Sequence, residues 1–338
     1  MSEQAYPGLL AFFRERYRAD HPELQSPRSV GDYEIQIGHF GRWWASEGRP
    51  GQPSIAAINR ENVASAMAWL AAQGRSPHTV NKLMRVLKAL ASHGAEVLDL
   101  PPMKKIKPYK TPKFKPSAWT NEQLGEMLYV AGRLEKRIGA VSLAAFAQAW
   151  ILTQYNTGSR VSALMAVRWD RIDLTQGLLI LKAEDTKDRE EQRISLKAGT
   201  VAALAALRVA NLDGPFDCWP YDRPGTDGRR RPWRALILLL KKITYCALVD
   251  SDQDVNTVTG KQVRHVIGRR DCTHKIRRSF ATEIAAREGI KVAQQLLGHA
   301  SEKTTEAYID VSRLPKHSAR DILPTLQEKP PTWKLFAG

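Results

Sequence analysis

Cysteine is scarce in this chain of 338 residues: Cys218, Cys246 and Cys272 are the only three. They lie far apart and never in a C-x-x-C pair, which excludes a zinc ribbon or a disulfide framework and fits a reducing compartment. Long apolar runs are missing as well; none approaches the ~20 residues that cross a bilayer. The N-terminal MSEQAYPGLL has neither the basic start nor the apolar run of a secretory signal. Acidic residues fall short of basic ones, 35 against 51, leaving a formal charge of +16. A surplus of that size disfavours an anionic face and favours a polyanionic partner.

What is present is an ordinary globular balance, 43% hydrophobic and 25% charged, with length for two cores. Residues 1–100 read as helices. A first amphipathic segment holds Phe12 and Tyr17, a second Tyr33, Ile37, Phe40, Trp43 and Trp44, and a third starts near Asn59. The fourth has the sharpest boundary: Ser76 caps, Pro77 takes the first helical position, and Val80, Leu83, Leu87 and Leu90 follow at helical spacing. The aromatics are expected in the core. Residues 101–118 form a linker whose prolines (Pro101, Pro102, Pro108, Pro112, Pro116) favour an extended path. Its lysines, Lys104, Lys105 and Lys107 among them, have no acidic neighbour, and an extended basic strand can lie along phosphates.

The second domain, 119–338, opens with a helix capped by Thr120 and continues with an apolar helix from Ser142 to Tyr155. That helix ends at the turn Asn156-Thr157-Gly158, and Arg160 opens the next, where a guanidinium and backbone N–H groups can face an anion. Leu178–Leu181 and Arg193–Leu196 read as two strands joined by a charged loop that carries Lys187. A helix is expected near Thr200–Val209 and an apolar one over Trp233–Leu248; residues 250–271 read as a strand pair or irregular structure.

The stretch Thr273–Tyr308 organises the rest. Thr273 reads as an N-cap, and Ile276, Phe280 and Ile284 recur at helical spacing. His274 and Arg277 then share a face. A turn at Gly298-His299 follows, and a short helix capped by Ser301 is expected to carry Tyr308. A phenol, with a pKa of about 10, is a poor nucleophile until a base takes its proton and cations neutralise the group it attacks. A phosphodiester fits two imidazoles, guanidinium groups and a phenol.

His274-Lys275-Ile276-Arg277, Leu297-Gly298-His299 and Tyr308, preceded by Thr157-Gly158-Ser159-Arg160, resemble in order and spacing the tyrosine recombinase (phage integrase) family. The resemblance implies a mainly α fold with a small β-sheet: an N-terminal helical core-binding domain and a C-terminal mixed α/β catalytic domain. It implies a site-specific recombinase or integrase that cuts and rejoins DNA through a 3′-phosphotyrosyl link. A type IB topoisomerase and a catalytically idle DNA-binding regulator are the alternatives. Tyr308 is then the nucleophile, Arg160 and Arg277 the phosphate clamp, His274 the base, His299 a donor to the phosphate and Lys187 the general acid, with Lys182 its competitor.

The same resemblance places His78, Asn81, Lys82, Arg85 and Lys88 against DNA. It implies no cofactor, no metal and no ATP. The partners it implies are duplex DNA with recombination sites, a tetramer of this chain on DNA with the tail from about 312 docked on a neighbour, and accessory DNA-bending proteins. The implied location is cytoplasmic, at the nucleoid. Two positions depart from the pattern: Ala163 stands where relatives carry a carboxylate, and Lys275 where an acidic residue is usual.

Overall fold

The structure, a computed structural model, describes residues 6–24, 26–112, 114–138, 140–186, 189–208, 214–216, 233–264, 266–268 and 272–315. The chain divides into two compact units, Met1–Phe114 and Lys115–Gly338. Among the described residues no helix is long and apolar enough to cross a membrane.

In the first unit α1 (Leu9–Phe12) passes through a π-helical turn, Phe13–Tyr17, into α2 (Arg18–Asp20). Three longer helices follow: α3 (Pro27–Ser46), α4 (Arg60–Ala72) and α5 (Pro77–Leu98). Each starts where a short polar side chain takes an orphan backbone N–H. Ser26 accepts from Ser29, Asn59 from Asn62 and Ser76 from Thr79. Pro27 and Pro77 sit in the first turn, where no donor is lost. Phe12, Phe13, Phe40 and Trp43 are all at most 1% exposed and Tyr17 is buried, while Tyr33 and Trp44 pack half-buried against this core. They pack with the α5 stripe Val80, Leu83, Leu87 and Leu90. Residues 101–112 carry no regular secondary structure.

The second unit begins with α6 (Asn121–Gly132), opened by a capping box in which Thr120 and Gln123 satisfy each other's backbone N–H. A two-strand hairpin, β1 (Arg137–Ile138) and β2 (Val141–Ser142), leads into α7 (Leu143–Thr157). Helix α7 is apolar on nearly every side, which suits only a central position. It packs against α6 and, further along the chain, against α9 (Ala198–Leu207) and α12 (Thr273–Glu288). Its buried Gln154 is satisfied by Trp150 Nε1 at 3.1 Å. Between α7 and α9 lie α8 (Val161–Met165) and an antiparallel sheet of β3 (Ile172–Asp173), β4 (Leu178–Leu181) and β5 (Gln192–Ser195), with β4 central. Leu179 and Leu181 alternate inward on β4, as the two-residue period of a strand requires. After α9 come α10 (Trp233–Leu248), α11 (Gly260–Arg264), α12, α13 (Ile290–Leu297) and α14 (Glu302–Glu306).

Several sequence expectations shift. Strand β3 was not foreseen; two residues are too short to show a period. Residues 250–271 contain turns and α11, with no strand among those described. Cys272, not Thr273, is the N-cap of α12, because the Cys272 carbonyl already accepts from Ile276 N at 3.2 Å. Gly289, at φ +88°, separates α12 from α13. Tyr308 lies beyond α14, in a turn whose bonds, Tyr308 N to Thr305 O and Ile309 N to Glu306 O, have tightened to i→i−3.

Candidate active site

Two glycine turns and one helix assemble the site. Gly158 ends α7 and Gly298 ends α13, both in the left-handed region at φ +61° and +62°. That conformation suits glycine, and each turn leaves a carbonyl pointing inward. Helix α12 runs between them and presents Arg277, buried at 3% exposure. Its Nη1 donates to the Gly158 carbonyl, and its Nη2 to the Leu297 carbonyl at 3.2 Å and to His299 Nε2 at 3.0 Å. One planar fork thus fastens the Thr157–Arg160 turn to the Leu297–His299 turn, which a point-charge ammonium has no geometry to do.

An arginine is always a donor, so His299 Nε2 accepts from it. His299 is then neutral, with its proton on Nδ1, donating to Thr305 Oγ1 at 3.0 Å. In this geometry His299 orients Arg277. The expected role as donor to a phosphate requires Arg277 to turn away and Nε2 to gain a proton.

Tyr308 is half-buried over this set. Its ring centroid lies 5.1 Å from that of His274, 5.0 Å from that of His299 and 5.4 Å from the Arg277 guanidinium carbon. The side chain packs against the small buried cluster formed by Phe280, Ala281, Ala285, Ala293, Leu297 and Ile309. Arg160 is the N-cap of α8, two residues past the carbonyl that holds Arg277. Four expected residues, His274, Arg277, His299 and Tyr308, therefore meet, and the turn bearing Arg160 is tied to them.

Lys187 lies outside the described residues, as do the tail residues from 316 on. Among the described neighbours of Lys187, Arg171 pairs with Asp185, and Thr186 Oγ1 donates to the Glu190 carbonyl and accepts from Glu190 N. The competitor Lys182 is exposed and opens the 3-10 turn Ala183–Asp185. Ala163 is 4% exposed inside the core of the second unit.

In the first unit, His78, Arg85 and Lys88 are exposed, and so are Lys104, Lys105 and Lys107. Asn81 is half-buried. Its amide is spent on the linker backbone, accepting from Tyr109 N at 2.8 Å and donating to Tyr109 O at 2.9 Å. Lys82 pairs with Asp32 at 2.8 Å.

Sequence reasoning missed Thr305, whose hydroxyl meets His299 Nδ1, and Phe280, which closes over Gly158. A Thr within a Glu-Lys-Thr-Thr-Glu run carries no distinguishing signal. Phe280 read as an ordinary core position. A Cβ on Gly158 would lie 2.3 Å from Phe280 Cδ1, on a backbone already at φ +61°. Gly158→Ala is therefore expected to destabilise the second unit by about 2–4 kcal/mol. Denaturant unfolding measures it; a loss under ~0.5 kcal/mol would show that Phe280 swings aside freely.

No known protein-family profile matches the chain. Among curated proteins it is similar to the tyrosine recombinase XerA of Thermococcus kodakarensis, 25% identical over 293 residues, covering 86% of this chain and 87% of the relative. It is 27% identical over 325 residues to the tyrosine recombinase XerD of Xanthomonas axonopodis pv. citri, covering 92% and 95%. Among solved structures, the Tn1549 transposon integrase in complex with transposon right end DNA superposes with a TM-score of 0.60 at 13% identity, over 93% of this chain and 97% of that one. At that identity the likeness speaks for the fold.

Proposed function

We propose that this chain, which belongs to the tyrosine recombinase family, is a site-specific DNA strand transferase acting through Tyr308. The observation that carries the reading is the convergence of His274, Arg277 and His299 around one half-buried phenol. Tyr308 Oη attacks the scissile phosphorus, the P–O5′ bond breaks, and a 3′-phosphotyrosyl link forms. His274 takes the phenolic proton and Lys187 protonates the leaving 5′-oxygen. Arg160 and Arg277 stabilise the charge that develops on the non-bridging oxygens. A phosphate that draws Arg277 Nη2 away from His299 leaves Nε2 to become a donor once protonated. The phosphodiester energy is kept in the covalent link, so a 5′-hydroxyl of another strand reseals it without ATP.

The substrate is duplex DNA carrying recombination sites. The working assembly is a tetramer of this chain on DNA, assisted by DNA-bending proteins, in the cytoplasm at the nucleoid. Covalent capture on genomic duplexes, with the trapped 3′ ends sequenced, tests the reading. One enriched sequence and joined products from paired sites support it. Adducts without sequence preference, with relaxation only, would mark a topoisomerase; binding with no adduct would mark an idle regulator.

The linker is proposed to add affinity without reading sequence, since Lys104, Lys105 and Lys107 are exposed on an irregular strand. Replacing all three with Gln is expected to flatten the slope of log affinity against log salt by up to about 3, because each lost phosphate contact releases about one counterion fewer. An unchanged slope would place this strand away from DNA.

A further inference from the structure

The residues just after Tyr308 are held by a segment from nearly two hundred positions upstream. Where the chain enters the second unit, Ala118 N donates to Asp310 Oδ2 at 3.1 Å, and Arg313 Nη1 donates to the Trp119 carbonyl at 2.7 Å. Trp119 N donates to Ser279 Oγ on α12 at 2.7 Å, and the Lys275 ammonium sits 3.4 Å from the centre of the Trp119 ring. Asp310 N donates in turn to Thr282 Oγ1, also on α12, at 2.9 Å. Three partners therefore meet at Trp119: the end of the linker, the face of α12 beside His274, and the turn that follows the phenol.

We propose that Ala118–Trp119 is a strap that positions the nucleophile, with Ser279, Asp310 and Arg313 as its fastening residues. This rests on the reading of Tyr308 as the nucleophile.

The chemistry favours a positioning device over incidental packing. Asp310 is ionised at neutral pH: burial alone would raise its carboxyl, but the bonds from Ser312 and the Ala118 N–H, with Arg313 nearby, outweigh burial and hold it below the usual range. The bond from Ala118 is thus charge-assisted. Ser279 is 1% exposed and satisfied twice, accepting from Trp119 N and donating to the Lys275 carbonyl at 3.0 Å. Lys275, the basic residue at the position where relatives are usually acidic, covers the Trp119 ring as a cation covers an indole. Tyr308 is the residue but one before Asp310 and lies outside any helix, so the bonds at Asp310 bear directly on where its turn sits. A 1 Å misplacement of a reacting atom costs about 100-fold in rate.

The test uses the full chain and a nicked duplex from which the cleaved end diffuses away, so that covalent adduct formation is read as a first-order rate at saturating protein. Ser279→Ala and Asp310→Ala are each expected to slow that rate about 10- to 100-fold, with DNA affinity changed less than about 3-fold. The double variant should be no slower than the slower single one, because either substitution releases the same strap. A bridging 5′-sulfur at the scissile position, which needs no acid, should leave the defect in place. Wild-type rates in both single variants overturn the strap, and so do losses that multiply in the double variant or follow DNA affinity. Tyr308→Phe is run in parallel: if it still forms adduct, the nucleophile reading fails and the strap with it. If it is dead while the strap variants react normally, only the strap fails.

Discussion

Tyr308→Phe is expected to bind DNA within about 2-fold of the parent chain and to form no covalent adduct at all. The ring is what the structure uses for packing: it sits against the cluster that contains Phe280, Leu297 and Ile309 and beside both imidazoles. The phenylalanine ring keeps those contacts. What disappears is the oxygen proposed to attack phosphorus, and the proposed mechanism gives His274 and His299 no role that would replace it. Electrophoresis under denaturing conditions, after incubation with a nicked site, reads the adduct directly. Retained adduct in the Phe variant would remove Tyr308 from the mechanism.

The second large effect is expected from Arg277→Lys, a substitution that keeps the charge. Arg277 is buried and spreads one planar fork over the Gly158 carbonyl, the Leu297 carbonyl and His299 Nε2. An ammonium on a flexible stem reaches at most part of this set and leaves buried acceptors unsatisfied, at a cost of about 1–3 kcal/mol in stability. In the proposed mechanism it would also lose the planar fork that meets the phosphate oxygens. The rate of adduct formation per folded molecule should fall about 100- to 1000-fold, the range seen when one pre-aimed donor to a developing anion is removed. The two readouts separate its roles. A stability loss with an unchanged rate would make Arg277 a structural pin, whereas a rate loss at full stability would make it a phosphate clamp only.

Much of the helical framework was legible because its boundaries are chemical. Ser76-Pro77, Asn59, Thr120 with Gln123, Ser142 and Gly158 each satisfy or terminate a backbone ladder with their own side chain or lack of one. The grouping of His274, Arg277, His299 and Tyr308 was legible from order and spacing, through resemblance. What the sequence hid is how they are held. The three acceptors of Arg277 include two main-chain carbonyls, which every residue has and no sequence marks. The break at Gly289 and the tight turn at Tyr308 lie in a stretch whose apolar period continues across them. Asn81 and Lys82 looked like an exposed polar face, yet their partners, Tyr109 and Asp32, are remote in sequence. The strap at Ala118–Trp119 was invisible for the same reason: it pairs backbone groups with side chains on the far side of the chain.

The most direct measurement of the central claim is to identify the protein atom that carries the DNA. Trapped adduct is digested with a nuclease and a protease, and the modified peptide is sequenced by mass spectrometry. The proposed mechanism predicts a single nucleotide remnant, attached through a 3′-phosphate to the phenolic oxygen of Tyr308. A remnant on any other residue, or one attached through a 5′-phosphate, would contradict the account.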